Sequence, residues 1–281
     1  MEREHLSETP KYKVMSYEEY AKREHDVPYV YEIVIGEKKI TYFGADHSMD
    51  PRDPMFDQIA RKFKETSPQI VFVEGISVLA VRKEHMLGKL KVADQDAVIA
   101  HMGEAGFALK LAAETGIDVE SPEPDFKNEI AYVEAQGIGR EEIFACYLYR
   151  SVEQYHRGSG NEMTIKEYLT PHLRDFRAAT QWEGFDYSIK NLRRIGRRIW
   201  GERGDMECAD ATRTDPVPWK GTETTWTDVN RVARASSSFR DQYIVGRIVE
   251  AMKTYDRLMV VYGASHAYMQ EPALRKLFVE P

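Results

Sequence analysis

Short apolar runs along the chain predict strands, and longer segments with apolar residues at helical spacing predict the helices between them. The runs that predict strands are Tyr29–Ile35, Lys39–Phe43, Ile70–Val73, Ile117–Val119 and Leu258–Tyr262. The first two flank the turn Gly36-Glu37 and are rich in β-branched and aromatic residues, as paired strands are. Ile70–Val73 is apolar without interruption, which is typical of a strand buried on both faces of a parallel sheet. The pattern predicts an α/β fold with a mainly parallel sheet flanked by helices.

The segments between these runs separate a part with strands from a purely helical part. Helices are predicted over Asp53–Thr66, Val78–Leu90, Asp94–Thr115, Ser236–Tyr255 and Ala267–Phe278. Further helical patterns lie near 126–136, 140–157, 163–178 and 184–200, with no convincing strand among them. We therefore predict a single α/β domain over residues 1–281, with an accessory segment at 1–27 and a helical insertion, or cap, at 124–210. Asp210–Asp228, rich in Thr, Pro, Gly and Trp, is predicted to form a long irregular connection that serves as a lid or as a substrate loop.

Composition narrows the class of protein. The 281 residues are 42% hydrophobic and 30% charged, which is typical of a globular protein with a substantial core. The N-terminus lacks the apolar core of a signal peptide and no apolar run is long enough to cross a bilayer, so we expect a cytoplasmic protein without a membrane partner. Two cysteines are too few for a disulfide framework. The net charge of −7 disfavours nucleic acid as a partner, and the oligomeric state is left open.

Three reactive side chains follow three of the predicted strands. His47 ends Gly44-Ala45-Asp46-His47, Glu74 directly follows Ile70–Val73, and His266 ends Gly263-Ala264-Ser265-His266. The carboxyl ends of parallel strands line the crevice in which ligands of open α/β sheets bind. We therefore expect His47, Glu74 and His266, called here the strand-end trio, to converge on one site.

The residue types of the trio indicate hydrolytic chemistry. A carboxylate directly after four apolar strand residues is costly to desolvate unless it reaches a crevice, a metal or a cationic partner. Two imidazoles and a carboxylate can hold a divalent metal such as Zn, Mn, Co or Fe and leave a position open for water. The same three residues can instead activate water without a metal, by general acid and base catalysis. The sequence leaves both routes to ester or amide cleavage open.

The motifs of the trio, with Phe239-Arg240-Asp241 before the last strand, resemble those of the Tiki, TraB, ChaN and erythromycin-esterase superfamily. The likeness covers roughly residues 38–76 and 236–278 and leaves the middle of the chain uncovered. It implies an α/β fold, a small-molecule or peptide substrate, and metal-dependent proteolysis or ester hydrolysis, the esterase branch working through acid and base residues alone. By position, His47 and His266 match the two motif histidines and Glu74 the motif glutamate.

The resemblance also implies a role for Arg240, which matches an arginine on the helix before the last strand. A guanidinium there can stabilise a developing oxyanion or bind an anionic group of the substrate. An ordinary ion pair, with Asp241 as one partner, is the competing interpretation of Arg240.

Three further residues are secondary candidates. Asp46 can orient a histidine or act as an outer carboxylate of a metal site, and Glu123, in Ser121-Pro122-Glu123-Pro124, can reach the same crevice; turn capping and loop geometry explain both equally well. Ser265 partly resembles the nucleophile of a Gly-x-Ser-x-Gly elbow. That fold places its acid and its histidine after the serine, and the 15 residues beyond His266 contain no histidine.

A basic run offers a function of a different class. Lys190, Arg193, Arg194, Arg197, Arg198 and Arg203 occupy one polar side of a predicted amphipathic helix. Such a face can bind nucleic acid or an acidic partner, and it can equally be a solvated face with internal ion pairs. A binding protein of this kind is the alternative to the enzyme.

Overall fold

The computed structural model describes residues 12–76, 79–159, 163–217 and 226–278, with the backbone alone for residues 79–81 and 158–159. The chain forms two compact units. The first unit consists of the N-terminal segment up to Ser16, Arg23–Pro124 and Asp241–Pro281, and the second of Tyr17–Lys22 and Asp125–Arg240. The second unit contains residues 125–210 of the predicted insertion 124–210 and continues thirty residues beyond it.

Ten α-helices and five strands lie within the described residues. The strands are β1 (Tyr29–Ile35), β2 (Lys38–Ala45), β3 (Ile70–Val73), β4 (Asp118–Glu120) and β5 (Arg257–Gly263). The helices are α1 (Tyr17–Tyr20), α2 (Met55–Thr66), α3 (Leu79–Val92), α4 (Gln95–Thr115), α5 (Phe126–Ala135), α6 (Arg140–Gln154), α7 (Ile165–Thr180), α8 (Ile189–Trp200), α9 (Asp228–Thr254) and α10 (Ala264–Phe278). Within these ranges no helix is both long and apolar enough to span a membrane.

The five strands form one sheet in the order β1-β2-β5-β3-β4. β1 pairs with β2 in antiparallel fashion through the hairpin at Gly36, whereas β2, β5, β3 and β4 are parallel to one another. This arrangement confirms the prediction of an α/β fold with a mainly parallel sheet. β5, although last in the chain, lies between β2 and β3 because the β2–α2–β3 crossover leaves a strand's width between them.

Alternate residues of each strand pack against helices on opposite faces of the sheet. One face carries Val71, Val73 and Val261, which pack with residues of α2 and α4 such as Ile59 and Phe107. The other face carries residues of the opposite parity, which pack with α10 and the C-terminal half of α9; its members include Ile70, Phe72, Val260, Ile248 and Leu274. Because both faces are covered, the strands are apolar on both sides, which explains the unbroken runs in the sequence.

Two helices begin earlier than their sequence pattern predicts. α9 begins at Asp228 and not near Ser236, because Thr227 caps it: Thr227 Oγ1 accepts the backbone N–H of Val229 at 3.3 Å. α10 begins at Ala264 and not at Ala267, since β5 ends at Gly263 and leads directly into the helix. Ser265 and His266 therefore lie in the first turn of α10 and not in a preceding loop.

The second unit is helical and has a core of its own, built around Ile143, Phe144, Leu148, Leu192 and Ile195. Its helices α5 to α8 lie where the sequence predicts them, although a π-helical turn, Tyr155–Ser159, follows α6. The predicted loop 210–228 contains a 3₁₀ turn, Ala211–Thr214, and its residues 218–225 lie outside the described part of the chain.

Candidate active site

The strand-end trio lies at the carboxyl ends of three adjacent parallel strands of the first unit. β5 is the central strand of the three, with Ala45 of β2 opposite Gly263 on one side and Val73 of β3 opposite Val261 on the other. His47 follows β2 by two residues, Glu74 directly follows β3, and His266 lies three residues beyond the end of β5. Strand order thus brings together residues that are far apart in the sequence.

Gly263 is the point around which His47 and Glu74 meet. Its backbone N–H donates to Glu74 Oε2 at 2.8 Å, which holds the carboxylate against the end of β5. A Cβ atom built on Gly263 would lie 3.0 Å from His47 Nε2 and 3.4 Å from Glu74 Oε2. Because Gly263 has no side chain, the imidazole of His47 and the carboxylate of Glu74 can both lie close to its Cα atom.

His266 faces Glu74 with one ring nitrogen and a buried carboxylate with the other. Its Nε2 lies 3.5 Å from Glu74 Oε1, and its Nδ1 lies 2.6 Å from Asp241 Oδ1. A carboxylate only accepts hydrogen bonds, so in the neutral ring the shorter contact, to Asp241, assigns the single proton to Nδ1, and Nε2 is directed to Glu74. The side chain of His266 is 12% exposed and that of Asp241 is fully buried. The pair has the geometry of the Asp–His couple that enzymes use to orient a catalytic base.

His47 forms a second pair of the same kind. Its Nδ1 lies 2.6 Å from Glu104 Oε1, so its Nε2 faces Gly263 and Glu74. The hydrogen bond to Glu104 raises the pKa of His47 above its ordinary value; burial opposes this shift, while the charges of Glu74 and Glu104 reinforce it. The side chain is 63% exposed, so this histidine is accessible to solvent and to ligands.

Replacing Glu104 with glutamine is expected to lower the pKa of His47 toward its ordinary value of about 6.5. A pKa raised in the folded state means that the pair stabilises the fold fully below the pKa of the unfolded chain, and that this stabilisation is lost as the pH rises through the folded pKa. In the variant the loss should be completed at lower pH. An NMR titration of the His47 ring measures the pKa in both proteins. Urea unfolding at pH values below and above that pKa measures the loss of stability.

Glu114→Gln is the matched control for Glu104→Gln, because Glu114 lies on the same helix and pairs with Lys110 at 2.7 Å. It should leave the His47 midpoint where it is in the wild-type protein. The electrostatic assignment of Glu104 is wrong if Glu104→Gln also leaves the midpoint unchanged.

The histidine partners Glu104 and Asp241 were not among the residues that the sequence predicts for the site. Glu104 follows Gly103, whose φ of 55° and ψ of −147° break α4 in a region of backbone conformation that glycine alone adopts readily. The only available signal was a charged residue beside the apolar stretch Ala105–Leu109, which indicates a buried carboxylate. Asp241 lies on α9, where nothing in the sequence separates it from an ordinary helical aspartate.

Glu123 lies at the neighbouring strand end, after β4. Its Oε1 accepts the backbone N–H of Gly75 at 3.2 Å and the hydroxyl of Tyr262 at 3.4 Å, and Ser121 Oγ accepts the N–H of Ile76 at 3.1 Å. These bonds hold the turn that follows Glu74. The structure therefore places Glu123 beside the trio as a residue that supports Glu74.

The remaining candidates are Asp46 after β2, Ser265 after β5 and Arg240 within α9. Asp46 is exposed beyond β2, and the histidine-orienting position that the sequence suggested for it is occupied by Glu104 and Asp241. Ser265 is half-buried in the first turn of α10. Arg240 is the last residue of the second unit, and its role at an anionic substrate group stays a prediction.

The donor types of the trio suit a divalent metal, and the outer carboxylates on both Nδ1 atoms are partners that metal-binding histidines commonly have. Over the described ranges, however, no three His, Cys, Asp or Glu side chains are grouped closely enough to hold an ion. Glu74 Oε2 is instead engaged by the Gly263 N–H. The trio therefore has donor types that suit a metal, in a grouping wider than a single ion needs.

The basic run of the second unit is largely ion-paired. Arg193 pairs with Glu207 at 3.1 Å, Arg203 with Asp210 at 2.7 Å, and Arg194 with Glu141. Arg198 bridges Glu141 and Glu142 at 2.8 and 2.7 Å. These carboxylates offset much of the positive charge that an acidic partner would need, which favours a solvated, ion-paired face.

Comparisons of the chain with protein-family models, with curated proteins and with solved structures found no significant match.

Proposed function

We propose that this protein is a hydrolase that activates water between Glu74, His266 and His47 to cleave an ester or amide bond. The observation that carries the proposal is a pair of histidine–carboxylate couples, His266–Asp241 and His47–Glu104, at the same strand ends as Glu74. Nε2 of His266 lies 3.5 Å from Glu74 Oε1, and Nε2 of His47 lies beside Gly263, whose N–H bonds to Glu74 Oε2. An acid and a base near one carboxylate are what the hydrolysis of a carbonyl compound requires.

The base of the reaction is His266. With its Nδ1 proton held by Asp241, its Nε2 carries the lone pair that takes a proton from water. Glu74 Oε1, 3.5 Å from that nitrogen, orients the same water, while Oε2 stays bonded to the Gly263 N–H. The water oxygen adds to the carbonyl carbon, and the buried charge of Asp241 stabilises the imidazolium that forms.

The acid of the reaction is His47. Its raised pKa keeps the ring protonated to higher pH than an ordinary histidine, and its exposure lets Nε2 reach a leaving group. The leaving oxygen or nitrogen takes this proton as its bond to the carbonyl carbon breaks. Transfer of the proton from His266 to His47 through water then restores both residues.

A metal-dependent hydrolase is the second candidate, favoured by the outer carboxylate on each imidazole. In this form His47, Glu74 and His266 would hold the ion, and the metal would supply acidification of a bound water. A ligating histidine must be neutral, so in this form His47 would release its proton as the ion binds.

The test is a substrate screen of ester, amide and phosphoester compounds with elemental analysis of the purified protein. We expect turnover of an ester or amide by the wild-type protein and its loss in the His47→Ala, His266→Ala double variant, at equal metal content. Metal that is present in the wild type, absent from the double variant and required for turnover would select the second candidate. Turnover that survives in the double variant, or a wild type inactive on every substrate, would overturn the hydrolase proposal.

A further inference from the structure

A chain of hydrogen bonds runs from His266 into the sheet through three fully buried side chains. His266 Nδ1 lies 2.6 Å from Asp241 Oδ1, which also accepts Gln270 Nε2 at 2.7 Å. Gln270 Oε1 in turn accepts the hydroxyl of Tyr42 at 3.0 Å. Asp241, Gln270 and Tyr42 each have no exposed surface. The three residues come from α9, α10 and β2, so the chain joins the elements that carry the site.

The direction of every bond in this chain follows from the chemistry of its members. A carboxylate has no donor, so Gln270 must turn its amide nitrogen toward Asp241, and its carbonyl oxygen then faces Tyr42. Tyr42 must therefore donate its proton to that oxygen. If the amide were flipped, its oxygen would face the Asp241 carboxylate, and two acceptors would lie 2.7 Å apart in a buried place.

The orientation of the Asp241 carboxylate depends on its two hydrogen-bond donors, His266 and Gln270. Both donate to Oδ1, and within the described part of the chain Oδ2 is buried without a hydrogen-bond partner. A buried charge with one bare oxygen is held in place only by the groups that bond to the other. Without Gln270, His266 would be the only donor to the carboxylate, and the carboxylate would be free to turn about its last torsion.

We propose that Gln270 and Tyr42 are positioning residues which, through Asp241, hold the His266 ring in one orientation and in the tautomer with the proton on Nδ1. Their hydrogen bonds run to each other and to Asp241, so they act by fixing the acceptor that His266 uses. This inference rests on the proposed function, because a fixed tautomer matters to the extent that Nε2 is the base.

The test compares Gln270→Met and Tyr42→Phe with the control Tyr31→Phe. Methionine keeps the shape of glutamine without its donors and acceptor, and Tyr42→Phe is a milder change in case Gln270→Met does not fold. Tyr31 is the matched control since it lies on the same face, stacks on Tyr42 at 5.2 Å between ring centroids, and has a buried hydroxyl without a described partner. Loss of that hydroxyl should leave His266 unchanged.

The readout is the pair of ring ¹⁵N shifts of His266 in histidine-labelled protein, at a pH where the imidazole is neutral and with His266→Gln to assign the signals. In the wild type and in Tyr31→Phe we expect the shifts of the Nδ1–H tautomer alone; in Gln270→Met and Tyr42→Phe we expect a mixture of both tautomers. On any substrate that is hydrolysed, kcat should fall by about tenfold at constant KM, since the competent tautomer becomes a fraction of the population.

The tautomer measurement needs no turnover, so an inactive wild type would overturn the proposed function and leave this test intact. A single Nδ1–H tautomer in both folded variants would overturn the positioning proposal, as would an equal change in Tyr31→Phe.

Discussion

Replacing Glu74 with glutamine is expected to lower kcat/KM by about 10²- to 10⁴-fold on any substrate that the protein hydrolyses. The amide keeps the shape of the side chain and can still accept the Gly263 N–H, so its bond to the end of β5 is retained. What is lost is the negative charge of Glu74, which orients water in the proposed mechanism and contributes to the raised pKa of His47. Steady-state kinetics of the purified variant, with its midpoint of urea unfolding, separates loss of chemistry from loss of fold.

The control for Glu74→Gln is Glu120→Gln. Glu120 lies on the same sheet in β4 and pairs with Arg247 at 2.8 Å, away from both histidines. Its replacement should change stability by no more than about 1 kcal/mol, as for a half-exposed ion pair, and leave kcat/KM within about twofold. Equal losses of activity in the two variants would mean that charge on the sheet as a whole matters, and not Glu74 in particular.

Replacing Gly263 with alanine is expected to lower kcat/KM by about 10²-fold while the protein stays folded, because a displacement of about 1 Å suffices for such a loss. The added Cβ would lie 3.0 Å from His47 Nε2, closer than carbon and nitrogen atoms normally approach. His47 is largely exposed and can rotate away, so we expect its hydrogen bond with Glu104 to break and the cost in stability to stay below about 3 kcal/mol.

Gly88→Ala is the matched control for Gly263→Ala. A Cβ at Gly88, on α3, would meet no atom within 4 Å, so the change should stabilise the helix by about 0.5–1 kcal/mol and leave activity unchanged. Kinetics and the His47 ring signals of both variants provide the measurement. Full activity in Gly263→Ala, with His47 still bonded to Glu104, would contradict the role assigned to the bare backbone of Gly263.

Much of the sheet could be predicted from the sequence because buried strands are short runs of consecutive apolar residues. Tyr29–Ile35 and Ile70–Val73 form strands with the predicted bounds, and α/β architecture follows from the alternation of strands with helical segments. The helix starts at Asp228 and Ala264, which the sequence pattern missed, have local causes. Thr227 caps α9, and β5 passes into α10 without a loop.

The residues that complete the site were beyond the reach of sequence patterns. Glu104 and Asp241 are carboxylates on helices, and a helical carboxylate is in most cases a solvated surface residue. Only the packing of α4 and α9 on the sheet turns them inward to the two histidines, at 2.6 Å each. The sequence gives even less indication of Gln270 and Tyr42. A buried polar residue can be identified only once its hydrogen-bond partner is known.

By itself, the sequence determined the strands, the class of fold, and the placement of His47, Glu74 and His266 directly after apolar runs, because these properties depend on residues close together in the chain. The tertiary structure decided that β5 lies between β2 and β3, which is what brings the three residues together. It also decided which nitrogen of each histidine faces Glu74, since that depends on Glu104 and Asp241, 57 and 25 residues away from their partners. Contacts over such separations arise from the packing of whole helices and strands, and local pattern does not encode them.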